Sequence, residues 1–459
     1  MVFSDLIFLF FFLPAVLLVT KLSPAAWRNT ELLLFSLLFY AWGEPVYVLL
    51  MLAVILMNYL AGLIVPRFSP GTRGRKAALA AAIVLNLAVL GYFKYTGFFL
   101  EGLNRLTGSR ISVPEIVLPI GISFYIFQSM SYVIDVYRGQ VEPQRNPLLF
   151  GTYVSLFPQL IAGPIVRYRD IAAELLERKE TRGAFAAGIV RFVYGLAKKV
   201  LIANQMGFLT DRMLLTETGT LSAWVGMAAY TMQIYFDFSG YSDMAIGLGR
   251  MLGFHFRENF EHPYVSRSVT EFWRRWHMSL SSWFREYVYI PLGGNRKGPA
   301  RQVLNLLIVW ALTGLWHGAA ANFILWGLYY AVLLILEKFV LGRFTARLPG
   351  FLRQLLTLLA VAFGWGIFYH TDFGLWQSFV SRLFSIRPDP AKTLRLAAAY
   401  LPTFLVACIA ASEAPQAALR RLRRGAFSWV ETLFLVLLFI LCTAALVNQS
   451  YNPFIYFRF

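Results

Sequence analysis

Val46-Tyr-Val-Leu-Leu-Met-Leu-Ala-Val-Ile-Leu-Met-Asn-Tyr-Leu-Ala-Gly-Leu-Ile-Val65 is a block of twenty uncharged, mainly apolar residues. About 20 such residues are what a helix needs to cross the hydrocarbon of a bilayer. Similar blocks run at 31–42, 78–97, 116–137, 184–205, 221–240, 303–318, 321–341, 354–371, 396–412 and 430–448. The whole chain of 459 residues is 58% hydrophobic and only 14% charged, where soluble domains carry roughly 25% charged residues. The reading is an all-α, polytopic integral membrane protein of ten to thirteen membrane segments, folded as one membrane-embedded domain over 1–459.

Outward from the opening block, the charges fall between the apolar runs. Pro66 to Ala78 holds Arg67, Arg73, Arg75 and Lys76 without an acid, and Arg420, Arg421, Arg423 and Arg424 form a second cluster. A net charge of +18 is therefore a positive-inside signal, not the footprint of a nucleic-acid partner, because no soluble module carries it. The first apolar run, Val2 to Thr20, contains Asp5, lacks a basic leader and is followed by Lys21 and Arg28. It reads as a retained first helix with the N-terminus outside, and the Gly43-Glu44-Pro45 turn then puts the 66–78 loop inside.

The 149–163 run is short and ends Ala162-Gly163-Pro164, which suits a re-entrant segment. The stretch 235–300 is different again. It mixes polar and aromatic residues as Tyr235-Phe-Asp-Phe-Ser-Gly-Tyr-Ser-Asp243 and Glu271-Phe-Trp-Arg-Arg-Trp-His-Met-Ser-Leu-Ser-Ser-Trp-Phe-Arg-Glu-Tyr287. Ser268 and Glu271 form a capping box that opens a helix, and Trp273, Trp276 and Trp283 beside Arg274, Arg275 and Arg285 suit interface depth. Polar backbone at membrane depth survives only against protein or water, so this stretch reads as the wall of an internal cavity within a core of about 235–330.

Five histidines are the candidates for chemistry. His317, next to Trp316 in Leu312-Thr-Gly-Leu-Trp-His-Gly-Ala-Ala320, is an ionisable residue inside an apolar run. Small neighbours Gly314, Gly318, Ala319 and Ala320 let a substrate or another backbone approach it. On local chemistry it is either a general base or a buried imidazole bonded to a carbonyl. His277 lies between Trp276 and Met278 on the cavity helix, while His255, His262 and His370 fall near block ends. Asp237 and Asp243 flank Ser239, Gly240 and Tyr241; they position a polar substrate or hold backbone at a helix break, with the second favoured. No His pair has HExxH spacing, and Cys408 and Cys442 are isolated in apolar runs, so no metal is expected. Gly240-Tyr-Ser-Asp-Met244 misses the final glycine of a hydrolase elbow. A transporter using the same cavity without chemistry is the competing class, and its flux should survive loss of His317.

With those residues in hand, the chain resembles the membrane-bound O-acyltransferase family, and within it the bacterial branch that acetylates alginate, peptidoglycan and cellulose. The ordered set carrying the resemblance is Phe39-Tyr-Ala-Trp-Gly-Glu-Pro45, Leu118-Pro-Ile-Gly-Ile-Ser-Phe-Tyr125, Phe157-Pro-Gln-Leu-Ile-Ala-Gly-Pro-Ile-Val-Arg-Tyr168, Phe238-Ser-Gly-Tyr-Ser-Asp-Met-Ala-Ile-Gly247, Phe272-Trp-Arg-Arg-Trp-His277, Tyr289-Ile-Pro-Leu-Gly-Gly-Asn-Arg296 and Leu315-Trp-His-Gly318. It implies that His317 is the family's catalytic histidine and that His277 fills its second polar position. It also implies re-entrant helices and a central tunnel in a bacterial inner membrane. The donor implied is acetyl-CoA, as a substrate and not a bound cofactor. His277 would hold that donor or stabilise the oxyanion, and an extracytoplasmic partner would pass acetyl to a polysaccharide such as alginate. The tail, residues 449–459, ends Asn452-Pro-Phe-Ile-Tyr-Phe-Arg-Phe459, similar to the acetylating branch, which makes Tyr456 a candidate acyl relay. D-alanyl transfer to a teichoic acid is the alternative chemistry.

Overall fold

The computed structural model describes residues 1–415, 417–418, 428–448 and 454–455. Among these every regular element is a helix. Among the described residues six helices are long and apolar enough to cross a membrane: Tyr47–Arg67, Arg73–Thr107, Ala321–Thr345, Gly350–Tyr369, Ala391–Ala410 and Trp429–Asn448. The remaining apolar blocks make shorter or more polar helices. The described residues group into two compact units, Met1–Phe192 with Met244–Arg257, and Val193–Asp243 with Glu258–Phe459.

The first unit contains α1 (Leu13–Leu22), α2 (Arg28–Ala41), α3 (Tyr47–Ile64), α4 (Arg73–Thr107), α5 (Ile122–Tyr137), α6 (Pro147–Ser155), α7 (Phe157–Leu160), α8 (Tyr168–Leu176) and most of α9 (Arg182–Ala197). In α3 and α4 the polar residues at membrane depth satisfy each other. Asn58 Nδ2 donates to Asn86 Oδ1 at 3.0 Å, and Asn86 Nδ2 returns a bond to Asn58 Oδ1 at 2.8 Å. Each amide also donates to a carbonyl four residues back, so neither amide is left unmet. The 149–163 run becomes α6 and α7, nine and four residues long, both too short to span.

The second unit contains α10 (Asn204–Asp211), α11 (Thr220–Met251, up to Asp243), α12 (Val269–Arg275), α13 (Met278–Phe284), α14 (Pro299–His317), α15 (Ala321–Leu336), α16 (Gly350–Tyr369), α17 (Phe373–Phe384), α18 (Ala391–Ala410) and α19 (Ser428–Asn448). Glycine decides how α14 and α15 meet. A Cβ on Gly314 would overlap the Phe323 carbonyl, and one on Gly327 would overlap the Trp310 carbonyl. The small residues beside His317 thus serve a backbone approach. Against this hairpin the aromatic side chains pack edge to face, Trp273 on Trp310 at 4.6 Å and Trp326 on Tyr330 at 5.3 Å, or tilted, Trp276 on Trp365 at 4.7 Å and 46°.

Two local expectations change here. Ser268 does cap α12, its Oγ accepting the Glu271 N–H at 3.0 Å. The helix does not continue to 287, however, because His277 adopts the left-handed conformation (φ 44°, ψ 53°) and separates α12 from α13. Trp273, Trp276 and Trp283 are then core residues, 9%, 3% and 3% exposed, and not anchors at the membrane surface.

Candidate active site

His317 is the last residue of α14; the next residue, Gly318, is fully extended (φ −167°, ψ 160°) and ends the helix. A Cβ there would strike the ring of Phe323, so the sharp exit depends on glycine. The imidazole is 8% exposed and meets Trp316, Trp326 and Phe368 at ring-centre distances of 5.0, 5.0 and 5.3 Å. It opens on a cavity walled by Ile234, Phe238, Trp276, Trp326, Trp365, Phe368 and Ile455. The cavity volume is ≈ 10 Å³, room for about one water molecule. An acyl thioester enters only if some of these side chains move.

His277 is 1% exposed and lies in none of the six candidate spans. Its ring stands edge-on to Phe238 at 4.7 Å and contacts Trp316 at 5.9 Å, so Trp316 touches both histidines. Asn259 holds the segment twice. Its backbone carbonyl accepts the Met278 N–H at 3.0 Å, and its side-chain Oδ1 accepts from Ser279 N–H at 3.3 Å and Ser279 Oγ at 2.9 Å. His277 Nδ1 lies 3.1 Å from the same Oδ1. A left-handed non-glycine residue costs of order 1–3 kcal/mol, and these bonds offset it. Burial pushes the imidazole well below its ordinary range, to about 3.

The two acids of α11 are held by two adjacent lysines. Helix α9 runs into a wider π-helical stretch, Lys198–Ala203, and Gly240 lets that stretch come close: a Cβ there would sit 2.8 Å from the Gly195 carbonyl and 3.1 Å from the Lys199 nitrogen. Lys198 Nζ then reaches Asp243 Oδ2 and Lys199 Nζ reaches Asp237 Oδ1, each at 2.6 Å. The second pair is the more buried, with side chains 4% and 2% exposed.

Asp237 has a further partner. Its Oδ2 accepts the backbone N–H of Ile455 at 2.8 Å. The preceding residue, Phe454, stacks on Tyr241 at 4.7 Å and 30°, with Lys199 Nζ 5.9 Å from its ring centre. Residues 454–455 are thereby fixed on α11, with Ile455 against the cavity that holds His317. Tyr456 lies outside the described residues, as does the Arg420 to Arg424 cluster.

The chain matches known proteins along its whole length. Residues 138–378 match the profile of the membrane-bound O-acyltransferase family. A "probable alginate O-acetylase" of Pseudomonas aeruginosa is 39% identical, covering 100% of both chains. The chain belongs to the membrane-bound O-acyltransferase family. A peptidoglycan O-acetyltransferase of Helicobacter pylori is 33% identical over 80% of this chain and 77% of its own. A teichoic acid D-alanyltransferase of Bacillus subtilis is 30% identical over 48% of this chain and 59% of its own. The protein is thus a multi-pass membrane O-acyltransferase and not a non-catalytic transporter.

Within this family member the structure brings His317, His277, Trp316, Asp237 and Tyr241 into one unit with Phe454 and Ile455. Asp243 joins them through its lysine. Ser239 is buried, its hydroxyl unmet among the described residues, and it does not face the cavity. The other histidines hold structure: His255 pairs with Glu174 at 2.7 Å, His262 Nδ1 lies 3.4 Å from the Ala411 carbonyl, and His370 Nδ1 lies 2.9 Å from the Gly366 carbonyl. Among the described residues no three His, Cys, Asp or Glu side chains gather as a metal site. Sequence reading missed Asn259 and the lysine pair. Lys198-Lys199 inside the apolar run 184–205 was the available signal, since buried cations need acids.

Proposed function

We propose that the protein moves an acetyl group from a cytoplasmic thioester, acetyl-CoA, to an extracytoplasmic partner that acetylates a polysaccharide such as alginate. The setting is the bacterial inner membrane with the N-terminus outside. The observation that carries the reading is the tail: Ile455 walls the cavity of His317, and Tyr456 is the next residue in the chain. In the first step the Tyr456 hydroxyl attacks the thioester carbonyl while His317 takes its proton. The C–S bond breaks, His317 returns the proton to the departing thiolate, and a tyrosyl ester remains. In the second step a polymer or partner hydroxyl displaces tyrosine from that ester, and tyrosine regains its proton. His317 sits at the C-terminal end of α14, where the helix dipole favours the positive charge that builds on the ring. A relay suits the geometry of the problem, since about 30 Å of hydrocarbon separates CoA from a periplasmic polymer.

The test uses the full chain in lipid nanodiscs with acetyl-labelled acetyl-CoA and no acceptor. A labelled acyl-tyrosine at position 456 is expected by mass spectrometry, absent from Tyr456→Phe and His317→Ala. Polymer acetylation that survives Tyr456→Phe, or no ester when deacylation is blocked, would sink the relay. A D-alanyl carrier offered in place of acetyl-CoA tests the alternative raised by the teichoic acid relative, and label transfer from it would replace the acetyl reading.

A further inference from the structure

His277 Nε2 is a buried ring nitrogen without a hydrogen-bond partner among the described residues. Its protonation follows from what surrounds the other nitrogen. The oxygen and nitrogen of an Asn amide are interchangeable in shape, but the Ser279 backbone N–H can only donate, so the atom facing it is Asn259 Oδ1. That oxygen is also 3.1 Å from His277 Nδ1. An amide oxygen has no proton to give, and the Ser279 hydroxyl, 3.4 Å from Nδ1, donates its one proton to that same oxygen at 2.9 Å, hence Nδ1 carries the hydrogen and Nε2 carries the lone pair.

We propose that Asn259 is a positioning residue that locks His277 in this tautomer, and that the Nε2 lone pair accepts a hydrogen bond from an amide N–H of the acyl donor. The proposal rests on the reading of the donor as a thioester on an amide-bearing arm. It separates the two roles open to the second histidine. An oxyanion needs a hydrogen-bond donor aimed at it, and Nε2 in this tautomer is an acceptor. A general base works best with a pKa near the operating pH, and burial holds His277 at about 3. Proton transfer therefore falls to His317, and recognition to His277. An N–H on the donor arm also meets the one ring atom that the surrounding Phe238, Phe260 and Trp316 leave unsatisfied.

Two measurements test it on the full chain in nanodiscs. In the first, solid-state NMR of protein labelled with 15N-histidine, with His277 assigned by its loss in His277→Gln, reads the tautomer at pH 7. A protonated Nδ1 and a bare Nε2 are expected, and Asn259→Leu should mix the two tautomers; a protonated Nε2 in the unaltered protein overturns the proposal. The second compares S-acetyl-N-acetylcysteamine, which has an amide N–H, with S-acetyl-2-mercaptoethanol, which has none. The wild-type preference in kcat/KM for the amide-bearing donor should collapse at least tenfold in His277→Leu and Asn259→Leu and be restored in Asn259→Asp, which keeps the acceptor. A helix-capping role for Asn259 alone leaves that ratio unmoved, and an unmoved ratio refutes amide recognition. If acetyl-CoA and both mimics are inert with wild type, the thioester reading fails and takes the amide assignment with it, while the NMR result still decides the role of Asn259.

Discussion

Removing the Asp237 carboxylate has two consequences that a well-chosen pair of variants can pull apart. Asp237→Leu alone takes from Lys199, whose side chain is 4% exposed, its carboxylate at 2.6 Å, and breaking a buried ion pair by removing one partner costs about 3–5 kcal/mol. Lost activity in that variant would say only that the protein has come apart. Replacing both partners with apolar groups of similar volume is usually near neutral for stability, so Asp237→Leu with Lys199→Met should keep a thermal midpoint close to wild type. What it lacks is the acceptor for the Ile455 N–H, a hydrogen bond to a charged group worth about 1.5–3 kcal/mol. That energy corresponds to a fall of roughly 10- to 150-fold in the equilibrium constant for docking the tail. Acetyl transfer from labelled acetyl-CoA should drop, by up to that factor where undocking becomes dominant. Asp237→Asn with Lys199→Met keeps a neutral oxygen for Ile455 and should recover most of the turnover. Wild-type turnover in the Leu/Met variant, with its fold intact, would refute the idea that the docked tail takes part in catalysis.

Other perturbations follow from the same geometry. His317→Ala should lose about 10²- to 10⁴-fold in acetyl transfer with little change in thermal midpoint, and retained turnover would remove it from the chemistry. Gly314→Ala forces a methyl group into the Phe323 carbonyl and should destabilise by about 1–3 kcal/mol or more, read as a lower denaturation midpoint; an unchanged midpoint would contradict the close approach of α14 and α15. His255→Gln breaks a pair in which the histidine side chain is 63% exposed, so stability should change by under about 1 kcal/mol and acetyl transfer should not change. His277 titrates near 3 when folded and near 6.5 when unfolded. Between those values the unfolded chain binds the extra proton, so stability should fall as pH drops from about 6.5 towards 3 and be fully present above it, with a slope of at most about 1.4 kcal/mol per pH unit. His277→Gln should flatten that part of the curve, and an identical acid profile would refute a neutral buried imidazole.

The membrane class was legible because it depends on local quantities. The length of an apolar run and the charges at its ends decide whether a helix can cross, and the 46–65 block became a candidate span with its Asn58 satisfied by Asn86. The same local logic found the Ser268 cap. It failed at His277. Trp273 and Trp276 with their arginine neighbours carry the composition of an interfacial helix, but their rings find Trp310, Tyr330 and Trp365 from α14, α15 and α16, which makes them core. No helical periodicity shows that the backbone turns left-handed between them and Met278. That turn is held by Asn259, eighteen residues away, and a long-range contact leaves no trace in spacing.

For the site, the limit of sequence reading is the difference between residue type and partner. Asp237 and Asp243 look alike in the chain, six residues apart on one helix. Lys198 and Lys199 each bring an ammonium within 2.6 Å of one of them. Asp237 has its second oxygen committed to the tail, through a backbone N–H that any residue but proline at 455 would supply. The side chain at 455 therefore cannot report this bond, and no motif at the C-terminus could have predicted it. What the sequence does carry is a pattern of aromatic residues on both sides: Tyr241 in the helix and Phe454 in the tail, which stack at 4.7 Å. The stack and the hydrogen bond act on adjacent residues and fix both the plane and the depth of the chain. A tail held by the stack alone could slide along α11, whereas the carboxylate specifies one register and so decides which tail residue meets the cavity of His317. On this argument Phe454→Ala should weaken docking without changing its register, while loss of the Asp237 acceptor should change register as well. Crosslinking from a cysteine placed at 455 reads the difference: fewer products at the same site in the first case, products spread along α11 in the second.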